Sequence, residues 1–421
     1  MSVTPPRTHD LVLFGATGFT GQLVAEYLAT CKPLGAQGAP LRWALAGRNR
    51  EKLEAVRARL ATCDAGLAAL PLLQADAQDE AALQRIAAST RAICTTAGPF
   101  AQLGGVLIGA AATQGTHYCD ITGELTFIRS AIDQWHDVAV RTGAQLVPTC
   151  GFDSLPSDLG VLLLHRHFEE RGLSLAEARL HVERIRGGAS GGTLASMVAL
   201  IDVARRDPAV RRLLGDPYAL LPDRTRERGP DGGDLMGVRW DRDAQRWMAP
   251  FVMAAVNARV VRRSNALLDF AYGRDFRYSE VSSFARGPKG WARAVGLSAG
   301  LGVFLGLVSV PWTRALVMRR LPRPGEGPSA EERQQGGFVI RIRGRSRPDA
   351  KGQVHAATAV VEGHADPGYG ETSKMLGEAA LCLATDPRGE RGGVLTPAVA
   401  LGLPLVERLR RAGMGWRVEG A

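Results

Sequence analysis

The sequence predicts an α/β protein in which an N-terminal doubly wound parallel sheet of the Rossmann type precedes a second α/β domain. Three observations carry this expectation. The first apolar run, Leu11 to Phe14, breaks into the glycine turn Gly15-Ala16-Thr17-Gly18-Phe19-Thr20-Gly21 and then into helical spacing at Leu23, Val24, Tyr27 and Leu28. Strand-like and helix-like segments alternate as far as residue 150, as a parallel sheet requires. The chain has 421 residues, too many for one typical core, so the expected division is 1–150 and 151–421.

The glycine turn has a specific physical reading. Gly15 lets the chain reverse sharply, Gly18 lets backbone approach a pyrophosphate, and Gly21 lets the helix pack closely on the strand. Phosphates would sit at the positive end of that helix, against Gly15, Thr17, Gly18, Phe19, Thr20 and Gly21. The second strand, Arg42 to Ala46, runs into Gly47-Arg48-Asn49-Arg50 and carries no acidic residue at its end. An acid there would bind the ribose hydroxyls of NAD and repel an added phosphate. Its absence favours NADP over NAD, with Arg48, Asn49 and Lys52 around the 2′-phosphate; Arg50 and Lys52 would serve equally well to solvate the next helix.

The pattern then repeats. Leu70 to Gln74 reads as a third strand leading to Asp76, a candidate neighbour of the adenine, and Glu80 to Ala88 reads as a helix. Ala92 to Thr96 is a fourth strand, ending in the apolar loop Ala97-Gly98-Pro99-Phe100, where a nicotinamide ring would lie. Val106 to Gln114 is helical, and Gln145 to Thr149 is expected as the fifth strand, weakened by Pro148.

Two loops hold titratable groups. Residues 115–124 place His117, Tyr118, Asp120 and Glu124 near the expected crevice mouth, where each could donate or accept a proton. Equally, Thr122 and Glu124 could satisfy helix-start amides before Leu125 to Ile132. Residues 150–158 offer Ser154 or Ser157 as a helix cap and Asp158 in its first turn, leaving Asp153 and Ser154 to line a cleft. The catalytic candidates are His117, Tyr118, Asp120 and Asp153, and no nucleophile elbow supports hydrolase chemistry.

Composition excludes other classes. Lys and Arg total 52 against 42 Asp and Glu, a balance of +10, yet only five of the basic residues are Lys and the Arg are not interleaved with aromatics. Nucleic-acid binding is therefore not expected, whereas phosphorylated cofactors and acidic lipid headgroups are. The six Cys lie far apart without a CxxC pair or a Cys/His cluster, so no metal site is expected. That usage, with a polar stretch from Met1 to Asp10 in place of a signal peptide, points to a reduced cytoplasmic protein.

Beyond Leu180, His181 to Ile185, Met253 to Val261, Phe338 to Arg343 and Ala356 to Gly363 read as strands of a second sheet. Asp207 to Asp243, rich in Arg, Asp, Gly and Pro, reads as a mobile insertion. Ala294 to Trp312 is free of charge over nineteen residues, flanked by Arg293 and by Arg314, Arg319 and Arg320, with Trp291 and Trp312 at its edges. As a helix it would span roughly 28 Å, near the thickness of bilayer hydrocarbon. A buried helix or lipid-tunnel wall is the leading expectation, a membrane-surface anchor, at the plasma membrane for instance, the second, and a true span the third. Gly296, Gly300, Gly302 and Gly306 would suit close helix packing. Thr372 to Ala384 and Val399 to Arg411 read as helices, the first stopped by Asp386-Pro387-Arg388-Gly389.

These residues resemble the saccharopine dehydrogenase-like oxidoreductases, especially their trans-acting enoyl reductase branch. The stretches that carry the resemblance are GATGFTG (15–21), AGR (46–48), TTAGPF (95–100), HYCDITGE (117–124), GFDSLPSD (151–158), SGGT (190–193), VRRSNALL (261–268), YGETSKMLGEAALCLA (369–384) and GGVLTPAVALG (392–402), which together span nearly the whole chain. The resemblance implies NAD(P)H-dependent reduction by a Rossmann domain plus a substrate domain. In that branch it implies an unsaturated lipid or polyketide acyl chain as substrate, with links to glycolipid assembly and membranes. A saccharopine-type amino-acid dehydrogenase and a non-catalytic NADP-binding, lipid-associated protein are the other two readings, and neither oligomeric state nor proton donor is specified.

Overall fold

The computed structural model describes residues 7–35, 38–187, 191–319, 327–386, 389 and 391–420. Ser190, Arg320, Pro387 and Arg388, which figured in the expectations above, lie outside them.

In chain order, β1 (His9–Phe14), α1 (Phe19–Cys31), β2 (Trp43–Gly47), α2 (Arg50–Ala61), β3 (Leu72–Gln74), α3 (Glu80–Ser89), β4 (Thr90–Thr95), α4 (Phe100–Thr113), β5 (His117–Asp120), α5 (Leu125–Thr142) and β6 (Gln145–Val147) follow the expected alternation. Next come α6 (Leu155–Glu169), β7 (Leu175–Arg186), α7 (Gly191–Arg206), α8 (Pro208–Gly215), β8 (Arg239–Asp241), β9 (Arg246–Pro250), α9 (Ala254–Leu267), β10 (Arg277–Phe284), α10 (Pro288–Ser309), α11 (Pro311–Met318), α12 (Ala330–Gln334), β11 (Gly337–Ser346) and β12 (Ala356–Gly363). The chain closes with α13 (Thr372–Thr385), β13 (Gly393–Val394), α14 (Pro397–Ala400), α15 (Gly402–Arg411) and β14 (Gly415–Glu419).

Two compact units result: residues 1–152 with 369–412, and residues 153–368 with 413–421. The expectation that everything after 150 belongs to the second domain is corrected here. Strand β13 pairs in parallel with β6, Gly393 opposite Gln145, and α13 packs against α1, β1, β4 and β5. Twelve of the fourteen α13 residues are buried. A helix covered on nearly every side in this way belongs to the core of the unit that surrounds it.

The first unit is a seven-stranded sheet in the order β13-β6-β5-β4-β1-β2-β3, parallel throughout. Leu11, Val12 and Leu13 of central β1 are fully buried, as a strand covered on both faces demands. From β1 the chain moves outward through β2 and β3, then returns to place β4 on the other side of β1. That reversal opens a crevice at the carboxyl ends of β1 and β4. Residues 117–120, expected as a loop with a strand-like core, form the fifth strand, and the segment expected as the fifth becomes the shorter β6, stopped at Pro148.

The second unit is a mixed seven-stranded sheet, β14-β12-β11-β7-β10-β9-β8. The expected strand at Met253 to Val261 is instead α9. Its valines mislead because β-branching favours strands, but Val256 and Val260 lie one turn apart on a helical face, and every residue from Ala254 to Leu267 except Ala255 is buried. Nor is 207–243 a loose insertion. It contains α8 and β8, buries Tyr218 to Leu221, and is tied to α9 by the ion pairs Arg262–Asp231 (2.7 Å) and Arg259–Asp234.

Candidate active site

The glycine turn is built as its sequence requires. Gly15 has φ +82°, and a Cβ there would lie 2.9 Å from the Ala97 nitrogen. A Cβ on Gly21 would press on the Gly15 carbonyl and sit 2.8 Å from Thr96 Oγ1. Thr96 Oγ1 itself donates to the Gly15 carbonyl at 3.2 Å. The turn and the 97–99 loop therefore meet over the crevice, as a dinucleotide bridging pyrophosphate and nicotinamide sites needs.

Electrostatics distinguish the two helix starts in this crevice. Gly18 caps α1 without a side-chain hydrogen bond, and the first turn of α1 holds no acidic residue, so its positive end is left for an anion. At α4, the Glu124 carboxylate accepts from the Phe100 and Ala101 amides at 2.9 and 2.8 Å. Glu124 thus caps α4 across space rather than its own α5.

Around the adenosine end, Arg48 has a side chain 83% exposed, with Asp76 Oδ2 3.9 Å away. Asn49 Oδ1 accepts from the Lys52 amide at 2.8 Å, capping α2, so toward a phosphate the residue keeps only its amide nitrogen. Arg50 is taken by Glu54 at 2.9 Å, the helix-solvating reading of that residue. Of the expected 2′-phosphate neighbours, Arg48 is the one whose guanidinium is mostly exposed. Asp76 Oδ1 accepts from the Gln78 amide at 3.0 Å, shaping the turn after β3.

The four catalytic candidates separate. His117 is the first residue of β5, and its Nδ1 accepts from the Gln145 amide at 3.1 Å. Three residues at about 3.3 Å each put it roughly 10 Å from the crevice end of the strand, which removes it from the chemistry. Tyr118 is 0% exposed and donates to Asp120 Oδ2 at 2.7 Å; burial pushes its phenol well up, and it cannot reach a substrate. Asp120 does lie at the carboxyl end of β5 and accepts from the Thr122 and Thr149 amides at 2.9 and 3.1 Å. Burial raises its carboxyl to about 6, but these bonds make it a knot between strand ends, not a group free to exchange protons with a ligand. Asp153 remains. In the second unit, ahead of α6, it has a carboxyl that desolvation pushes up to about 6.

Sequence reasoning missed two groups. At the start of α13, Lys374 Nζ lies 3.0 Å from Glu371 Oε2, the carboxylate being fully buried. Tyr369 just before them meets the Phe19 ring edge-on at 4.8 Å, which sets this segment beside the glycine turn. The signal was the scarcity of lysine, with five in the chain. In the second unit, Asn257 Nδ2 donates to Glu280 Oε2 at 2.9 Å, Tyr278 donates to Glu280 Oε1 at 2.8 Å, and Ser154 donates to Asn257 at 3.0 Å. Burial lifts the Glu280 carboxyl to about 7. Among the described residues no His/Cys/Asp/Glu group has the arrangement of a metal site.

Comparison with known proteins agrees with this geometry. Residues 11–147 match the family described as saccharopine dehydrogenase NADP binding domain. A Mycobacterium tuberculosis (H37Rv) relative provisionally named a trans-acting enoyl reductase is 44% identical over 426 residues, 97% of each chain. The trans-acting enoyl reductase of Mycobacterium ulcerans (Agy99) is 39% identical over 423 residues, again 97% of each. Among solved structures, apo saccharopine dehydrogenase (L-Glu forming) from Saccharomyces cerevisiae covers 98% of this chain and 99% of its own with a TM-score of 0.50 at 11% identity, a likeness of fold. The uncapped α1 start, the arginine after β2 and these full-length relatives converge: the chain belongs to the saccharopine dehydrogenase-like family, in its trans-acting enoyl reductase branch, and is an NADP-dependent oxidoreductase.

Proposed function

We propose that this protein reduces the conjugated carbon–carbon double bond of an enoyl chain, a lipid or polyketide intermediate of lipid or glycolipid biosynthesis carried by another protein or thioester. The observation that supports this reading most is the end-to-end relationship to proteins named trans-acting enoyl reductases, joined to a crevice built for NADP. Gly15 to Gly21 would hold the diphosphate, Arg48 the 2′-phosphate and Ala97 to Pro99 the nicotinamide edge. When bound, the reduced dinucleotide supplies the hydride.

The chain's own tasks are to polarise the carbonyl next to the alkene and to deliver a proton to the α-carbon. Lys374, its Nζ 3.0 Å from Glu371, suits the first task, because an ammonium stabilises developing enolate charge. In the second unit, Asp153 holds a carboxyl raised to about 6, which still carries a proton for part of the time near neutral pH. The six cysteines are all free thiols, which fits a cytoplasmic enzyme.

The test is turnover by purified protein with NADPH and enoyl-thioesters of graded chain length, following absorbance loss and product mass. A product heavier by two hydrogens is expected. Turnover of amino-dicarboxylates instead would establish the saccharopine-type reading, and cofactor binding without turnover of any acyl chain would leave an NADP-binding scaffold.

A further inference from the structure

Helix α10 is apolar on the side where a surface helix should be polar. Its inward stripe is Gly290, Ala294, Ser298, Leu301, Leu305 and Val308, spaced by three and four residues, and it packs against β9 and β10. The opposite side presents Trp291, Leu297, Val303 and Leu307 to solvent, Val303 at 62% exposure, and α11 extends the patch with Trp312 at 75% and Leu316. Only 11% of the apolar window is buried, so the leading expectation of a buried helix or tunnel wall is corrected. The glycines expected to serve close helix packing, Gly296, Gly300, Gly302 and Gly306, have no atom within 4 Å of an added Cβ. An exposed apolar strip of this extent on an otherwise well-packed unit marks an interaction surface.

Topology excludes a single transmembrane crossing. Strand β10 precedes α10 and β11 follows α11, yet both are hydrogen-bonded to β7 in one sheet. One crossing would separate β10 and β11 by a bilayer. A return crossing by the eight residues of α11 would reach about 12 Å, well short of the hydrocarbon thickness of about 30 Å. Arg314 also fixes α11 in place, donating to Asp202 at 2.7 Å and to the Val308 carbonyl at 2.7 Å.

Charge selects the occupant. From Arg286 to Arg319 there are five basic residues, Arg286, Lys289, Arg293, Arg314 and Arg319, and no Asp or Glu. Arg314 is paired with Asp202, but a second copy docked by two-fold symmetry would bring Arg286, Lys289, Arg293 and Arg319 against their own equivalents with no acid in this segment to offset them. Exposed tryptophans at both ends of an aliphatic strip, with cations beside them, match the chemistry of an anionic bilayer surface. We infer that α10 and α11 form a monotopic dock lying in the headgroup layer of an anionic lipid membrane. The inference stands apart from the enoyl reading, since it requires no turnover.

Flotation of the full-length protein with phosphatidylcholine vesicles, and with vesicles mixed with phosphatidylglycerol, tests it. The protein should float with the anionic vesicles, less with the neutral ones, and less again as salt rises. The double variant Trp312→Ser/Leu316→Ser should partition about tenfold more weakly into both, and Lys289→Glu/Arg293→Glu should lose the preference for phosphatidylglycerol. All four side chains lie outside the core, so melting temperature and NADPH binding should match the parent protein. Absence of flotation with either vesicle, or variants that float as well as the parent, would overturn the inference. So would dimers of the parent that the Trp312→Ser/Leu316→Ser change converts to monomers.

Discussion

Replacing Arg48 by serine probes the cofactor assignment at its most exposed point. The guanidinium is 83% exposed, and its pairing with the half-exposed Asp76 carboxylate spans 3.9 Å. An exposed pair of this kind is worth about 0–1 kcal/mol, so little opposes its turning toward a bound phosphate. A charge-assisted bond to that phosphate contributes about 1.5–3 kcal/mol. The difference, about 0.5–3 kcal/mol, corresponds to a roughly 2- to 140-fold loss of NADPH affinity at about 1.4 kcal/mol per factor of ten. NADH lacks the 2′-phosphate and should bind the Arg48→Ser protein as it binds the parent. Asp76→Asn is the complementary control: without a competing carboxylate, NADPH should bind somewhat more tightly. Isothermal titration of each protein with both nucleotides gives the four constants. Equal losses for NADPH and NADH, or no loss for either, would show that Arg48 does not meet the 2′-phosphate.

Gly21→Ala should lower the melting temperature and abolish stabilisation by NADP, because the added methyl lies 2.8 Å from Thr96 Oγ1 in a contact with no room, an overpacking worth about 1–3 kcal/mol. Asp120→Asn should flatten the pH dependence of stability in chemical denaturation. With the folded carboxyl at about 6 and its ordinary value at 3.8, both states are protonated at lower pH; the unfolded chain ionises first as pH rises. The parent protein should therefore lose up to about 3 kcal/mol between about pH 4 and 6, with no further change above, whereas asparagine keeps the acceptor for the Thr122 and Thr149 amides and cannot ionise. A profile as steep in the variant as in the parent would refute this role. Lys374→Met should destabilise by up to about 3 kcal/mol by taking the cation from the buried Glu371 carboxylate, and Lys374→Met/Glu371→Gln should recover most of that loss. If Lys374 polarises the substrate, kcat stays low in the double variant; recovered kcat would limit the lysine to structure.

Local physics decided much of the first unit. A strand buried on both faces must be a short apolar run, and a turn that receives a diphosphate must be glycine, so β1, the Gly15–Gly21 turn, β2 with its terminal arginine, and the 97–99 loop could be located from neighbours in the chain alone. Burial and long-range pairing could not. His117 and Asp120 stand three residues apart in one motif, yet strand direction sends one to the far edge of the sheet and the other to the crevice. Glu124 looked like a cap for α5, but the helix start nearest in space is α4. Tyr369, Glu371 and Lys374 join the first unit only because α13 and β13 return to it after more than two hundred residues. For α10, composition fixed the helix and its apolar character. Whether that surface faces core, lipid or water depends on what packs against it, and the pairing of β10 and β11 with the same strand on either side of it shows only in the folded chain.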